Sequence, residues 1–519
     1  MTRNWLPGGV AGLALGVLAL GPGVGRGFLL SYDMVFVPRE SFTSAVYNTG
    51  LAGAAPPRAV PSDLVVAALS AALPGDVVQK LVLLAIFVLA CAGVTMLLDR
   101  EPWVARLAGG VFYAWNPYVA ERLIIGQWAL LLGYAGLPWV LRALRATDLA
   151  SWRGAGRLAL AMLPAAIGGF AAMAITALLL IPVALARRRT ADSGVAAGVW
   201  VALALPWLIP SLLHTVYVDP AGVAAFATRP DTPFGSLGSL LMLGGIWNAQ
   251  AVPRGYGGYW SAIWLAAVLA ALTGYLARGW RQRRWPGLGI AAIAGLAIGC
   301  VGVTAAGRAV LRHAIQAWPA FGVLRDAQQF IAPLALAAAC GAGLVVAWAV
   351  RPHAVKSEDL IFGVAGILAP LVLLPGLAWG AGARLRPAAY PAAWLAAAAA
   401  IEASPARGDV LVLPWASYRS PDWNHGQTVL DPWPRLVARP VIWNDGTEVG
   451  SVAMAPDDRK ARALTSALTG TGPLTGALRS AGVRFVVADA PVPGLAARLP
   501  GAVTVFSEAG LAVFEIPAP

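Results

Sequence analysis

The residues able to do chemistry are few, and they sit at the ends of apolar runs. Asp33 stands in LLSYDMVFVPRE, between Tyr32 and Met34-Val35-Phe36. A carboxylate in that setting would be held at a bilayer surface. Ionised above about pH 4, it could accept a proton from a hydroxyl. A turn residue, or the neighbour of a helix C-terminus, would leave the same mark in the sequence. A second candidate is WNPYVAERLIIGQWALLLGYAGLP, where Asn116-Pro117 breaks a helix, Glu121-Arg122 follows and Gln127-Trp128 opens the next helix. Arg122 offers a planar fork of donors to a lipid phosphate; the alternative is a loop pair with partners elsewhere. In GVLRDAQQFIAPL, Arg325 and Asp326 precede an apolar run. They are either substrate-binding residues or a salt-bridged helix N-terminus in which Asp326 favours the dipole. The segment 218–257 carries Arg229, Asp231, Trp247 and Asn248 and is rich in Gly and Pro. Structureless loops of that length often form lids.

Other chemistries leave no trace. GPGVGRG near residue 21 does not join a strand to a helix as a phosphate-cradling loop must, and no serine elbow, HExxH or Walker sequence occurs. Cys91, Cys300 and Cys340 lie inside apolar runs and the four histidines are scattered, so neither disulfides nor a zinc site is indicated. No cofactor is expected, and a divalent metal is possible but not indicated. Trp415, Tyr418, Trp423, Trp433 and Trp443 could stack on sugar rings or mark a domain–membrane boundary.

The elements that must position these residues follow from composition. Of 519 residues 12% are charged and 58% apolar, with mean hydropathy +0.69. An ordinary globular protein carries about twice that charged fraction. Disorder, collagen, coiled coil and disulfide scaffolds are excluded, and a multi-pass membrane protein is favoured. Spans are expected near 8–30, 80–98, 103–120, 126–145, 193–217, 258–278, 286–306, 328–350 and 359–380. The stretch 158–186 has arginines at both ends and reads as two short helices meeting at Gly168-Gly169, for about eleven transmembrane helices in all. The first run lacks a small-x-small cleavage pattern and reads as a retained helix.

Charge sets the expected orientation. With the N-terminus cytoplasmic, inner segments hold sixteen Lys/Arg against six acids and outer loops ten against eight, as the positive-inside rule requires. The excess of +13 then reflects topology and anionic lipid, and no nucleic acid is implied. The eight outer acids are Asp33, Glu40, Asp63, Asp76, Glu121, Asp219, Asp231 and Asp326. Residues 384–519 are more polar, with short β-like runs (DVLVLPW, RPVIW, VRFVVAD, VTVF, LAVFEI) between helical stretches (PAAWLAAAAAIEA, DDRKARALTSAL). The expectation is a transmembrane domain over 1–383 and an extracytoplasmic α/β domain over 384–519.

Together these segments resemble the polytopic GT-C glycosyltransferases, in particular actinobacterial arabinofuranosyltransferase-like proteins. The likeness lies in YDMVFVP with Asp33, PSDLVVAALSAALP before the second span, the NPYVAERLIIGQWALLLGYAGLPW block, DTPFGSLGSLLMLGGIWNAQ, LRDAQQF, and a tail with DVLVLPW and SAGVRFVVAD. It covers nearly the whole chain. The resemblance implies a GT-C-like helical domain in the plasma membrane. It also implies a polyprenyl-phosphate sugar donor, arabinofuranose or mannose-like, and a cell-envelope glycan or glycolipid acceptor on the outer face. Asp33 would act as base with inversion, and Arg122, Arg325 or Arg229 would hold the donor phosphate. Tyr32, Glu40, Glu121, Gln127, Asp231, Trp247, Asn248 and Asp326 would bind substrate. Two other readings remain: a non-catalytic protein that binds or moves a polyprenyl-linked glycolipid, and a transporter. A transporter would show inverted repeats and mid-membrane charges on broken helices, whereas here the one break is Gly168-Gly169.

Overall fold

The computed structural model describes residues 5–51, 57–146, 148–214, 217–350 and 357–517. The expected inner loop around residue 351 and two residues of the expected span 193–217 lie outside the described residues. The chain divides into two compact units. One comprises Met1–Val24, Lys80–Pro206 and Val223–Leu385; the other comprises Gly25–Gln79, Trp207–Gly222 and Arg386–Pro519. A single cut near residue 383 therefore misses two earlier segments that pack with the C-terminal part.

The first unit is helical. Among the described residues five helices are long and apolar enough to cross a membrane: Leu6–Val24, Gly75–Leu97, Thr190–Leu213, Trp260–Trp280 and Pro319–Ala349. The number is seven if the bent pairs Leu288–Val301 with Ala305–Ala317 and Ile361–Leu373 with Pro375–Ala383 each count as one span. That is fewer than the eleven expected, and the reason is local. The stretches 103–120, 126–145 and 158–186 hold the shorter helices Trp103–Ala114, Trp128–Leu144, Trp152–Gly168 and Phe170–Ala186. Each has fewer than the roughly 20 residues a span needs. Gly169, at φ +77°, separates the last two, a backbone conformation that favours glycine.

Ala332–Ala349 is the buried centre of this unit and packs against Trp103–Ala114, Trp260–Gly274 and Leu288–Val301. With lipid as solvent, close backbone approach replaces the hydrophobic effect as the force joining helices. Gly274 illustrates this: a Cβ there would stand 2.8 Å from the Gly341 carbonyl oxygen.

The second unit is built on a five-stranded mixed sheet in the order Val503–Glu508, Leu511–Glu515, Val483–Ala488, Asp409–Leu413, Val441–Ile442. Asp409–Leu413 runs parallel to both its neighbours, and the other two pairings are antiparallel. All five β-like runs of the sequence are strands of this one sheet. Alternation turns Leu411, Leu413, Val486 and Ala488 into a core with Leu464 and Leu468 of Arg459–Thr469 and Leu478 of Thr475–Ser480. Val410, Val412, Phe485 and Val487 alternate with them and are also buried. Both faces being covered, the central strands read as continuous apolar runs.

Candidate functional site

In the helical unit the site begins where Trp103–Ala114 stops. Asn116 accepts from the Val119 amide at 3.2 Å and so caps Pro117–Ile124, with Pro117 in the first turn. Its side-chain amide donates to the carbonyls of Phe112 and Tyr113 and to the Tyr134 hydroxyl. Tyr134 stacks on Tyr113 at 4.1 Å and on Tyr118 at 4.9 Å. The short helix is thus fixed at its start, and Tyr118 is anchored further by donating to the Gln329 carbonyl at 2.8 Å.

Arg122 lies one turn beyond Tyr118 and is 1% exposed. Its guanidinium rests 5.5 Å from the Tyr118 ring centroid, a cation–π distance. Nη1 donates to Gln127 Oε1 at 2.9 Å and meets Asp326 Oδ2 at 3.3 Å. Gln127 Nε2 donates to the same Asp326 oxygen at 3.4 Å. Asp326 interrupts the 3₁₀ stretch Pro319–Ile331 with φ −93° and ψ 57°. Arg122 Nε is buried without a hydrogen-bond partner among the described residues.

Glu121 points to a different neighbour. It is buried and hydrogen-bonded to Asp231. The amides of Gly245 and Ile246 donate to this pair of acids, and the Asp231 amide donates to Ser239 Oγ at 2.9 Å. Gly244 leaves room for them: a Cβ there would stand 2.7 Å from Glu121 Oε1 and 3.1 Å from Asp231 Oδ2. Both carboxylates lie outside the candidate spans. Burial first, then the neighbouring Asp231 charge, push Glu121 well above the usual carboxylate range, and Arg122 opposes this only in part. Burial also pushes Asp231 up to about 6, against the Gly245 amide, Glu121 and the nearby Arg229. Burial and the closeness of the two acids thus both favour a proton on the pair.

Arg325 lies over the Phe226 ring at 4.9 Å, and Trp247 meets that ring edge-on at 4.8 Å. Asn248 accepts from the Gln250 amide at 2.9 Å and caps the turn Ala249–Ala251, which is a backbone task. Arg122, Gln127 and Asp326 thus form one group, Glu121, Asp231 and Arg229 a second that touches it through the 121–122 step, and Arg325 with Trp247 a third.

Asp33, Tyr32 and Glu40 belong to the other unit. Ser31 and Met34 bond to each other across a tight turn, with Tyr32 at φ +44° and Asp33 at its tip. The backbone of Asp33 is therefore that of a turn residue, while its half-buried carboxylate accepts from the Tyr418 hydroxyl at 2.5 Å. Glu40 is 3% exposed and sits beside Asp63 and Arg435. Arg435 bonds Asp63 through Nε at 3.1 Å and through Nη2 at 3.2 Å, and Asn48 donates to it at 3.3 Å. Burial and Asp63 push Glu40 well above the usual range, and Arg435 opposes them. Of the aromatics read as ring-stacking candidates, Trp433 is buried and stacks on Trp394 at 5.2 Å, and the half-buried Trp423 packs against Tyr390 and Trp394. Trp443 lies under Arg58.

Sequence reasoning missed Tyr418 as a partner of Asp33, and Gly244, Gly245, Ile246 and Ser239 as the cradle of the acid pair. Backbone donors carry no side-chain signature, and Tyr418 stands 385 positions from its partner. Among the described residues no group of three or more His, Cys, Asp or Glu could hold a metal ion.

The fold is an apolar helical unit and a compact α/β unit whose segments interleave along the chain. Among solved structures it is shared with the arabinofuranosyltransferase AftD from mycobacteria, at TM-score 0.62 and 17% identity. That match covers 100% of this chain and 40% of the other. Two structures of a mutant of the same enzyme give TM-scores of 0.58 and 0.60 at 17% and 18% identity, each covering 100% of this chain and 42% of the other. The present chain spans about two fifths of the length of that relative. No protein-family model and no curated protein matches it.

Proposed function

We propose that this chain is a membrane glycosyltransferase that moves a sugar, arabinofuranose in the first instance, from a polyprenyl-phosphate donor to a cell-envelope glycan or glycolipid. The observation that carries the reading is the fold shared over the whole chain with a solved arabinofuranosyltransferase. In the proposed reaction the acceptor oxygen attacks the anomeric carbon as the bond to the phosphate oxygen breaks. The electron pair leaves with the phosphate, the anomeric centre inverts, and the hydroxyl proton passes to Asp33. A phosphate departs as an anion, so a base and positive charge suffice. Arg122 is assigned to the donor phosphate, with Arg325 and Arg229, from the other two groups, as the alternatives. The orientation proposed is that of the charge distribution, with the N-terminus cytoplasmic and residues 384–519 outside.

The test is transfer by purified protein in nanodiscs, with radiolabelled polyprenyl-phosphoryl sugars and envelope acceptors. Wild type should transfer, and Asp33→Asn should lose about 10²- to 10⁴-fold. Binding of donor without transfer would instead support a lipid-binding role, and wild-type turnover by Asp33→Asn would end the assignment of the base. The base and Arg122 belong to different compact units, so each role is tested on its own variant.

A further inference from the structure

Asp33 is met by a tyrosine from the far end of the chain. We propose that Tyr418 is the positioning residue of Asp33: its hydroxyl donates to Oδ1, fixes the rotation of the carboxylate and sets the lower pH limit of transfer. This rests on the reading of Asp33 as base.

The geometry is built by the backbone. Tyr418–Arg419 pairs antiparallel with Val429–Leu430, Tyr418 opposite Leu430. Tyr32 pairs with the same short strand as a parallel bridge, its amide donating to the Thr428 carbonyl at 2.7 Å and its carbonyl accepting from the Leu430 amide at 2.9 Å. Val429–Leu430 is thus the shared middle of a three-membered ladder. One edge carries Tyr418 and the other the turn that ends in Asp33. The rings of Tyr32 and Tyr418 lie 6.3 Å apart, and the 2.5 Å hydroxyl–carboxylate contact is at the short end for a charge-assisted bond.

The next residue holds the tyrosine in place. Arg419 bonds Asp431 at 2.8 Å and also bonds Asp489. The Trp433 indole donates to Asp489 Oδ2 at 2.8 Å, and the Trp433 amide donates to Asp431 Oδ1 at 2.9 Å. Asp489 in turn follows the central strand Val483–Ala488, its amide donating to the Leu413 carbonyl at 3.1 Å. A chain of direct bonds therefore runs from the sheet through Asp489 and Arg419 to Tyr418, and a half-buried carboxylate on a loop turn is held from a rigid element. Tyr418 keeps its own proton throughout: the acceptor's proton goes to Asp33, and Tyr418 supplies only the hydrogen bond. Such a bond favours the ionised carboxylate, the form a base must have.

A mere tether between segments would not care about ionisation, and the test uses that. Wild type, Asp33→Asn and Tyr418→Phe are assayed for transfer in nanodiscs across pH, and the same three proteins, labelled with ¹³C-carboxyl aspartate, are titrated by infrared spectroscopy. Phenylalanine keeps the ring and its packing. We expect Tyr418→Phe to move the acidic limb of the kcat/KM profile to higher pH by about one unit and to lower kcat about tenfold. The carboxylate band missing from Asp33→Asn should shift its midpoint in the same direction in Tyr418→Phe. An unchanged profile and band in Tyr418→Phe, with Asp33→Asn inactive, overturns the inference and leaves the base in place. Turnover by Asp33→Asn overturns the base and any catalytic role for Tyr418 with it. If wild type transfers nothing, the functional reading fails, and an unmoved band overturns the tuning by Tyr418 as well.

Discussion

Glu121 and Asp231 are hydrogen-bonded to each other although 110 positions separate them, and two backbone amides close the pair on a third side. Arg122 and Arg229 act from further off, and the Tyr256 ring packs against the same Gly244 that borders both acids. Two carboxylates in contact require a proton, and the loop carrying Asp231 is attached to the helix carrying Arg122 through that proton.

Stability should therefore depend on pH in a defined direction. Asp231 is raised in the fold to about 6 from an ordinary value near 3.9. A raised carboxyl contributes stability that is fully present below the ordinary value and lost as pH rises through the folded one. The unfolding temperature of the detergent-solubilised protein, followed by tryptophan fluorescence, should fall as pH rises from about 4 through about 6. Glu121→Gln, whose amide donates without titrating, should flatten that fall. A wild-type curve that rises over this interval would show that the pair is ionised.

Gly244 gives a steric test of the same contact. Its Cβ would collide with Glu121 Oε1 and press on Asp231 Oδ2 and the Tyr256 ring. None of these is the far end of a mobile surface side chain, so the loop must move. Gly244→Ala should cost about 1–3 kcal/mol and expose residues 231–246 to protease under conditions in which wild type is intact. Equal digestion of the two proteins would mean that the loop is not held through this glycine.

How much of this was legible in one sequence depends on the range of the interaction. DVLVLPW, RPVIW, VRFVVAD, VTVF and LAVFEI are strands because their apolar β-branched runs are bounded by turn residues, and all five join one sheet. The break at Gly168-Gly169 was legible because glycine acts on its own backbone. The span count was not, since an apolar run fixes neither where a helix stops nor how long it is; Asn116 stops one at Ala114. Arg122, Gln127 and Asp326 were each readable as polar residues at apolar boundaries, and the structure brings the three together. Partners were beyond reach. Asp63 looks like any outer-loop acid until Arg435 is found beside it, and Asp33 looks like a turn residue until Tyr418 is.

Arg419 is the only guanidinium between Asp431 and Asp489 among the described contacts, and both acids are buried. Burial raises both carboxyls and Arg419 opposes it. Replacing the arginine leaves two buried carboxyls without their counter-ion, a change that costs about 3–5 kcal/mol when a buried pair is broken. Arg419→Met should lower the unfolding midpoint by an amount of that order, measured by denaturant titration of tryptophan fluorescence. Adding Asp431→Asn and Asp489→Asn to that variant should return part of the loss, because the orphaned groups are then neutral. No recovery would assign the cost to lost packing of the arginine stem.

Arg122 separates electrostatic from structural roles most cleanly. Its Nη1 is occupied by Gln127 and Asp326, its face by Tyr118, and its Nε is buried without a hydrogen-bond partner among the described residues. Lysine keeps the charge but has no planar fork, so it cannot hold both partners and stack as well. If Arg122 binds the donor phosphate, Arg122→Lys should weaken binding of a polyprenyl-phosphoryl sugar by about 10- to 100-fold, the worth of one charge-assisted hydrogen bond. Binding of the corresponding polyprenol, which lacks the phosphate, should be unchanged. Both affinities can be read by titration in the same nanodisc preparation. If the two ligands lose affinity equally, Arg122 acts by holding Pro117–Ile124 and Pro319–Ile331 together through Asp326, and the phosphate must be sought at Arg325 or Arg229. If only the phosphorylated ligand is affected, the ion pair with Asp326 is a resting arrangement that the donor's phosphate replaces, and Asp326→Asn should then bind donor more tightly than wild type.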